Sequence, residues 1–290
     1  MTEPTLQAPD VSNYDLLKTS PAPEEPRPPA QISVRWLAAA AVVAVVMVAT
    51  YVIVERGRAR VPTTDAKPGG ADAAAIRPLG GSAAAIDVPP LDQSDPLVRE
   101  LVRQLSSSPA VLAWLTSDRL IRNFTVVVSN TAEGATPTVH LRVLQPGAPF
   151  KVVDRGARLT IDPRSYQRYD AIAAAASSID PAGAAKLYAT LKPRIQEAYE
   201  ELGSRGPFDR ALETALVLLL KTPEVPDPIA VQPVGGTSYG FVDPRLEALE
   251  PAQKHLLRTG SANVGMVRKN LRAIALALGI PAERLPPAQN

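Results

Sequence analysis

An uncharged run of 19 residues, from Trp36 to Val54, sets the first limit on how this 290-residue chain can fold. As a helix rising ~1.5 Å per residue it would extend about 28 Å, close to the ~30 Å thickness of a bilayer's hydrocarbon core. Trp36 and Tyr51 lie near its ends, where amphipathic rings favour the membrane interface. A buried soluble helix would carry a polar edge, and a cleaved signal peptide would lie nearer the N-terminus. We therefore predict one transmembrane helix over residues 34–54, in contact with the lipid bilayer.

The basic residues that flank this span leave its orientation open. Three precede it and four follow it, namely Lys18, Arg27 and Arg35, then Arg56, Arg58, Arg60 and Lys67. This distribution slightly favours a cytoplasmic C-terminus, but long domains translocate largely regardless of loop charge. Translocation of a folded domain on a linker is also expected more than translocation of an acidic N-terminal tail. We expect the C-terminal domain to lie on the outer side of the membrane.

Segments without sustained periodicity flank the span. Residues 1–33 carry a proline cluster, and we predict a disordered tail there. Residues 55–89 are rich in Ala, Gly and Pro and should form a flexible linker with a root-mean-square length of roughly 30–35 Å. Periodic apolar residues then continue to about residue 285. The prediction is a folded domain over 90–285 and a short tail over 286–290.

Helical stripes dominate the domain. Apolar residues at 3.6-residue spacing follow helix-start signals such as Ser94-Asp95-Pro96, Asp162-Pro163 and Asp180-Pro181. A single helix is expected from Asp162-Pro163 through Ala173. Asp118 is a candidate cap for the helix that contains Phe124–Val128, a stretch whose composition would also suit a strand. Pro193 should kink its helix because it removes a backbone hydrogen bond.

Strand-like stretches occur in two groups. The first covers 138–143, 150–153 and 158–161, and the second covers 229–231 and 239–242. Turn residues separate the members of the first group, which is typical of antiparallel pairing. We therefore predict an α+β fold, a predominantly α-helical domain with two small antiparallel β elements, preceded by the transmembrane helix.

Composition excludes several kinds of chemistry. The chain has no cysteine, which removes disulfides, thiolate catalysis and cysteine-based metal centres. Its two histidines, His140 and His255, are too few for a histidine-based metal site. Basic and acidic residues number 31 and 29, so the chain lacks the charge excess of a nucleic-acid-binding protein. We assign no cofactor, no metal site and no nucleic-acid partner.

One motif is compatible with an enzyme. Gly236-Thr237-Ser238-Tyr239-Gly240 matches the G-x-S-x-G pattern of a nucleophile elbow, and Asp243 and His255 follow in hydrolase order. The elbow requires a helix directly after the serine, whereas Phe241-Val242-Asp243-Pro244 predicts a strand and then a new helix start. A glycine-rich hairpin is the favoured interpretation, and a hydrolase with Ser238 as nucleophile and His255 as base is the alternative.

The stretch Ser165–Asp170 is a first candidate binding site. It places Arg168, Tyr169 and Asp170 within one and a half helical turns. Arg168 and Asp170 are too close in sequence to face each other on a helix, so each should find a partner elsewhere. The stretch forms either buried hydrogen bonds between helices or a small polar pocket.

A second candidate lies near the C-terminus. It includes Lys254, Arg258 and Asn263, and residues 251–290 carry six basic residues and one acidic residue. Such a surface could bind anionic lipid head groups, an anionic polymer or an acidic protein. A solvated basic face is the alternative.

Several motifs of the domain together resemble one protein family. They are Ser94–Pro96, Trp114-Leu115, Leu120–Arg122, Ser165–Asp170, Ala198–Gly203, Tyr239–Pro244 and Gln253–Arg258. These stretches are similar to the bacterial family of domains of unknown function numbered 3014, with departures at Ser129-Asn130 and Arg258-Thr259-Gly260. The resemblance implies a single-pass envelope protein of proteobacterial type. Together with the orientation favoured above, we expect a protein of the bacterial inner membrane whose C-terminal domain lies in the periplasm. It implies no particular activity.

The sequence thus favours a membrane-tethered, non-enzymatic domain that binds an envelope protein or an anionic polymer. The hydrolase above and a purely structural tether remain alternatives. Ala40 and Ala44 could support pairing of two spans, so a homo-oligomer is a further expectation.

Overall fold

The computed structural model describes residues 78–81, 86–136, 145–156, 158–236 and 238–288. The predicted transmembrane helix at 34–54, the N-terminal tail and the predicted strand at 138–143 lie outside these ranges. Within the ranges, no helix combines the length and the apolar composition needed to cross a bilayer.

Helices make up most of the described structure, as predicted. In chain order they are α1 (Asp95–Leu105), α2 (Pro109–Trp114), α3 (Leu120–Ala132), α4 (Pro163–Gln167), α5 (Asp170–Ser177), α6 (Pro181–Glu201), α7 (Phe208–Leu220), α8 (Pro244–Glu247), α9 (Pro251–Leu257) and α10 (Ser261–Ala277). The helical interpretation of Phe124–Val128 is confirmed, because these residues lie in α3. Pro193 lies inside α6 without ending it. The single helix predicted after Asp162 is instead the pair α4 and α5.

The start of α3 corrects one prediction. Asp118 does not cap this helix; Arg119 occupies the N-cap position with φ 56° and offers no capping side chain. The Asp95 carboxylate at the start of α1 instead accepts the backbone N–H of Arg119 at 2.7 Å and of Leu120 at 2.8 Å. These bonds satisfy two donors that a helix leaves open at its start.

The strands form one sheet. They are β1 (Val152–Asp154), β2 (Leu159–Ile161), β3 (Ala230–Gly235) and β4 (Ser238–Phe241), antiparallel in the order β1-β2-β3-β4. The prediction of two separate β elements is therefore wrong in this respect, because β2 pairs with β3 through Leu159–Val231 and Thr160–Ala230.

Two apolar clusters position the elements. The larger one lies among the helices, and Leu216 of α7 is completely buried within it. The smaller cluster joins the sheet to α4 and α9 through residues such as Ile161, Tyr166, Phe241 and Leu257. Tyr166 of α4 and Leu257 of α9 thus both pack in the cluster of the sheet.

Residues 78–81 pack on the helices, although the sequence assigned them to the linker. Leu79 is buried, and its N–H donates to the Asp209 carboxylate at 3.1 Å. The Gly80 N–H donates to the carbonyl of Leu278 at 2.9 Å. Arg194 of α6 further donates to the carbonyls of residues 88 and 89. The end of the predicted linker is therefore part of the folded structure.

Candidate functional site

The two candidate binding stretches meet in the structure. The Asn263 side-chain N–H donates to Asp170 Oδ1 at 2.8 Å. The ring of His255 meets the ring of Tyr169 edge-on, with 5.8 Å between the centroids. The α4–α5 connection, α9 and the start of α10 therefore form a polar junction, by which we mean Arg168, Tyr169, Asp170, His255, Arg258 and Asn263.

A glycine permits the close approach of these elements. Gly260 lies between α9 and α10 with φ 93°, a region that favours glycine. A Cβ at this position would lie 2.8 Å from Cβ and Cγ of Tyr166. Tyr166 is itself held, because its hydroxyl accepts the N–H of Ile229 at 3.0 Å.

Asn263 links the two stretches. Its buried Nδ2 donates to the carbonyl of Thr259 at 2.9 Å and to that of Tyr166 at 3.4 Å, in addition to Asp170. Asp170 and Arg168 thus have different partners, as their spacing predicts. These contacts support the interpretation of buried hydrogen bonds between helices.

Arg168 is fixed at the edge of the junction. Its Nε donates to the carbonyl of Ser165 and its Nη1 to that of Ala148, both at 2.9 Å. The guanidinium lies 5.0 Å from the ring centroid of Tyr169 and 5.6 Å from that of Phe150, within the range of cation–π attraction.

Arg258 is held in the same way from α9. Its Nη2 donates to the carbonyl of Tyr239 at 2.9 Å, and its guanidinium lies 4.7 Å from the ring centroid of Phe241. Burial lowers the pKa of Arg258, although the Glu247 carboxylate opposes this effect. An arginine pKa starts so high that the group remains charged at neutral pH.

The two arginines share a half-exposed surface with two rings. The rings of Phe150 and Tyr239 lie 6.0 Å apart, next to Arg168 and Arg258 respectively. We call Arg168, Arg258, Phe150 and Tyr239 the arginine–aromatic face. In the described part of the chain, neither guanidinium forms an ion pair with a carboxylate. The face therefore carries two charges that the described residues do not neutralise directly.

His255 lies behind this face. The residue is buried, and its burial lowers the pKa of the imidazole well below the usual value; the charges of Arg258 and Arg168 lower it further. The imidazole is therefore uncharged at neutral pH. An uncharged ring avoids adding a third positive charge beside the two arginines.

Lys254 belongs to a neighbouring ion pair. Its Nζ lies 2.9 Å from Glu247 Oε1 and also donates to the Glu247 carbonyl. Other bases of the C-terminal region are paired too, as Arg268 with Glu224 and Arg284 with Glu213, both at 2.8 Å. Acidic residues from elsewhere in the chain thus neutralise much of the basic excess seen in the sequence.

Ser238 lies in a hairpin. It opens β4, opposite Gly235 of β3, and another strand residue follows it where an elbow would place a helix. The hairpin interpretation is confirmed. Among the described residues, no three acidic or histidine side chains converge as metal ligands would.

Sequence reasoning missed Phe150, Tyr239 and Gly260 as parts of this site. The sequence predicts strands that begin at Phe150 and at Tyr239, but nothing near either residue shows that an arginine lies over or beside it. Gly260 gave a usable signal, since a glycine between two helical stripes indicates a tight turn.

Comparison with known families identifies this domain. Residues 120–275 match the model of a family described as a protein of unknown function, DUF3014. The chain belongs to this family. The DUF3014 match covers more than half of the chain and includes the whole arginine–aromatic face, and it confirms the resemblance drawn from the motifs. No curated protein and no solved structure matches the chain.

Proposed function

We propose that this chain is a membrane-tethered binding domain of the bacterial cell envelope that holds an acidic segment of a partner protein. The binding surface is the arginine–aromatic face. One observation carries the proposal: Arg168 and Arg258 are each fixed by backbone carbonyls, and neither pairs with a carboxylate in the described residues. The tether and the location rest on the predicted span at 34–54 and on the family resemblance.

The chemistry of the face suits carboxylates. A guanidinium has five N–H donors, and the described contacts use three in Arg168 and two in Arg258. The remaining donors can bind a carboxylate, and partial burial strengthens such charged hydrogen bonds. Phe150 and Tyr239 offer apolar contact beside the charges.

The same features favour a protein segment over a lipid surface. Attraction to anionic lipids acts through long, exposed basic side chains and depends on their number. Here both guanidinium groups are half-buried and fixed, and several other bases near the C-terminus are already paired. Two fixed guanidinium groups select a ligand whose carboxylates match their positions, whereas a diffuse positive charge attracts any anion.

The test measures binding of fluorescent poly-L-glutamate to the full chain in detergent by anisotropy. A charge-assisted hydrogen bond contributes about 1.5–3 kcal/mol, so Arg168→Gln and Arg258→Gln should each weaken binding roughly 10-fold or more. Arg168→Lys keeps the charge but loses the planar fork, and it should weaken binding as well.

Arg103→Gln is the matched control. Arg103 is exposed on α1 and makes no ion pair in the described structure, so this variant removes the same charge at a distant place. Wild-type affinity in both Arg168→Gln and Arg258→Gln would refute the proposal. Equal losses in all three would indicate attraction by net charge, and vesicles containing phosphatidylglycerol would then be the relevant ligand.

The location needs a separate measurement. Alkaline phosphatase and a fluorescent protein, each fused after Asn290, report on which side of the membrane the domain lies. Phosphatase activity without fluorescence is the expected result. Fluorescence alone would place the domain in the cytoplasm and exclude a periplasmic partner.

A further inference from the structure

A polar pocket lies on another part of the domain. It has a volume of about 220 Å³ and is bordered by α3, the end of α6, the following loop and the first turns of α7. Its polar lining consists of Ser129, Glu133, Tyr199, Arg205, Arg210 and Thr214. None of these residues belongs to the arginine–aromatic face.

The loop that carries Arg205 is held in place. Gln196 of α6 donates from Nε2 to the carbonyl of Gly206 at 3.0 Å and accepts the N–H of Phe208 on Oε1 at 2.9 Å. The ring of Tyr199 packs edge-on against the ring of Phe208, with 5.3 Å between centroids. One wall of the pocket is therefore formed before any ligand binds.

The positive groups of the pocket are available. Within the described ranges, neither Arg205 nor Arg210 has an ion-pair or hydrogen-bond partner for its guanidinium. Arginine is over-represented where proteins hold a phosphate or a carboxylate, because its planar fork matches the oxygen geometry, and two arginines line this pocket.

Three of the other polar groups of the pocket, on Ser129, Glu133 and Thr214, act as acceptors. The Ser129 hydroxyl already donates to the carbonyl of Thr125 at 2.9 Å, and that of Thr214 donates to the carbonyl of Arg210 at 2.8 Å. Their oxygens, like the Glu133 carboxylate, can then only accept from a ligand. A bare anion would leave these acceptors unused, whereas a ligand that also carries hydroxyl groups would satisfy them.

We infer that this pocket binds a small phosphate monoester that carries hydroxyl groups. The phosphate lies between Arg205 and Arg210, and the hydroxyls donate to Glu133 and to the oxygens of Ser129 and Thr214. The volume of the pocket accommodates a molecule of this size. The site is independent of the proposed binding of an acidic partner, because it shares no residue with that surface.

Calorimetric titration of the full chain with glycerol 3-phosphate tests the inference, with inorganic phosphate and glycerol as comparison ligands. Glycerol 3-phosphate should bind more tightly than inorganic phosphate, and glycerol should not bind. Arg205→Gln and Arg210→Gln should each weaken binding at least tenfold, while Arg103→Gln leaves it unchanged. Glu133→Gln should reduce the preference for glycerol 3-phosphate over inorganic phosphate.

Three results would overturn the inference. The first is no heat of binding with either phosphate compound. The second is equal affinity in the wild-type chain and in both arginine variants. The third is a Glu133→Gln variant that binds glycerol 3-phosphate and inorganic phosphate in the wild-type ratio, since Glu133 would then not contact the hydroxyl groups. Arg205 and Arg210 are exposed, so their replacement is compatible with folding, which circular dichroism checks.

Discussion

Gly260→Ala tests how the polar junction is held together. At φ 93° and ψ 154°, a combination almost exclusive to glycine, an alanine is strained by about 1–3 kcal/mol. Its Cβ would also lie 2.8 Å from Tyr166, which is buried and whose hydroxyl accepts a backbone N–H. Moving a packed side chain of this kind costs a further 1–3 kcal/mol, roughly, so the total loss in the free energy of unfolding should be about 2–6 kcal/mol.

Urea unfolding of the full chain in detergent measures this loss. A Trp36→Phe background leaves Trp114 as the only tryptophan, and because Trp114 is buried its fluorescence reports on the helical core. Gly279→Ala is the matched control: its φ is 90°, but no atom lies within 4 Å of the added Cβ. Gly279→Ala should therefore lose only the backbone strain. Equal losses in the two variants would show that the contact with Tyr166 contributes nothing.

Three further changes probe other contacts. Asp95→Ala removes the acceptor of two N–H groups at the start of α3, and it should lower the free energy of unfolding in urea by about 1–2 kcal/mol. An equal loss in Asp118→Ala would mean that Asp118 caps the helix. Asp209→Asn replaces a buried carboxylate that accepts from Tyr188, Lys192 and the Leu79 N–H, and it should lower the free energy of unfolding by roughly 2–4 kcal/mol and speed proteolysis near Leu79. An unchanged proteolysis rate would contradict the role of the bond between Leu79 and Asp209. Because the folded state lowers the pKa of His255, the unfolded chain binds the proton first as pH falls below about 6.5, and stability decreases. Between about pH 7 and pH 5.5 the free energy of unfolding should therefore fall as the pH falls. His255→Gln should flatten that part of the pH profile, and a variant with the wild-type slope would assign the effect to other groups.

Local signals in the sequence predicted the helix starts well. Asp162, Asp180 and Asp243 each precede a proline, and in the structure each carboxylate accepts an N–H two or three residues later. Both partners of such a bond lie in one short stretch. The sequence therefore contains everything that the prediction needs.

Contacts between distant stretches were not predictable in the same way. The cap of α3 comes from Asp95, and β2 pairs with β3 although the helices α4 to α7 separate them in the chain. Periodicity shows which face of an element is buried, but it does not show which other element covers that face. The two candidate stretches were recognised from their residue types, whereas their meeting through Asp170 and Asn263 required the fold.

The charge of the C-terminal region shows a related limit. Its basic excess is a correct count, but Arg268 and Arg284 pair with acidic residues of the loop after α7 and of α7 itself. A count along the chain cannot anticipate such neutralisation. The half-buried arginines of the arginine–aromatic face indicate a binding surface better than the total charge of the region does.

The packing of residues 78–81 determines where a mechanical pull on the preceding chain would act. A force applied before residue 78 reaches Leu79 first, and this side chain is buried in the main helical core. Its N–H must leave Asp209, and the Gly80 N–H must leave the carbonyl of Leu278, before tension can pass on to α1. The domain would thus resist extension through contacts with α7 and the end of α10, and α1 would carry load only after Leu79 has been extracted.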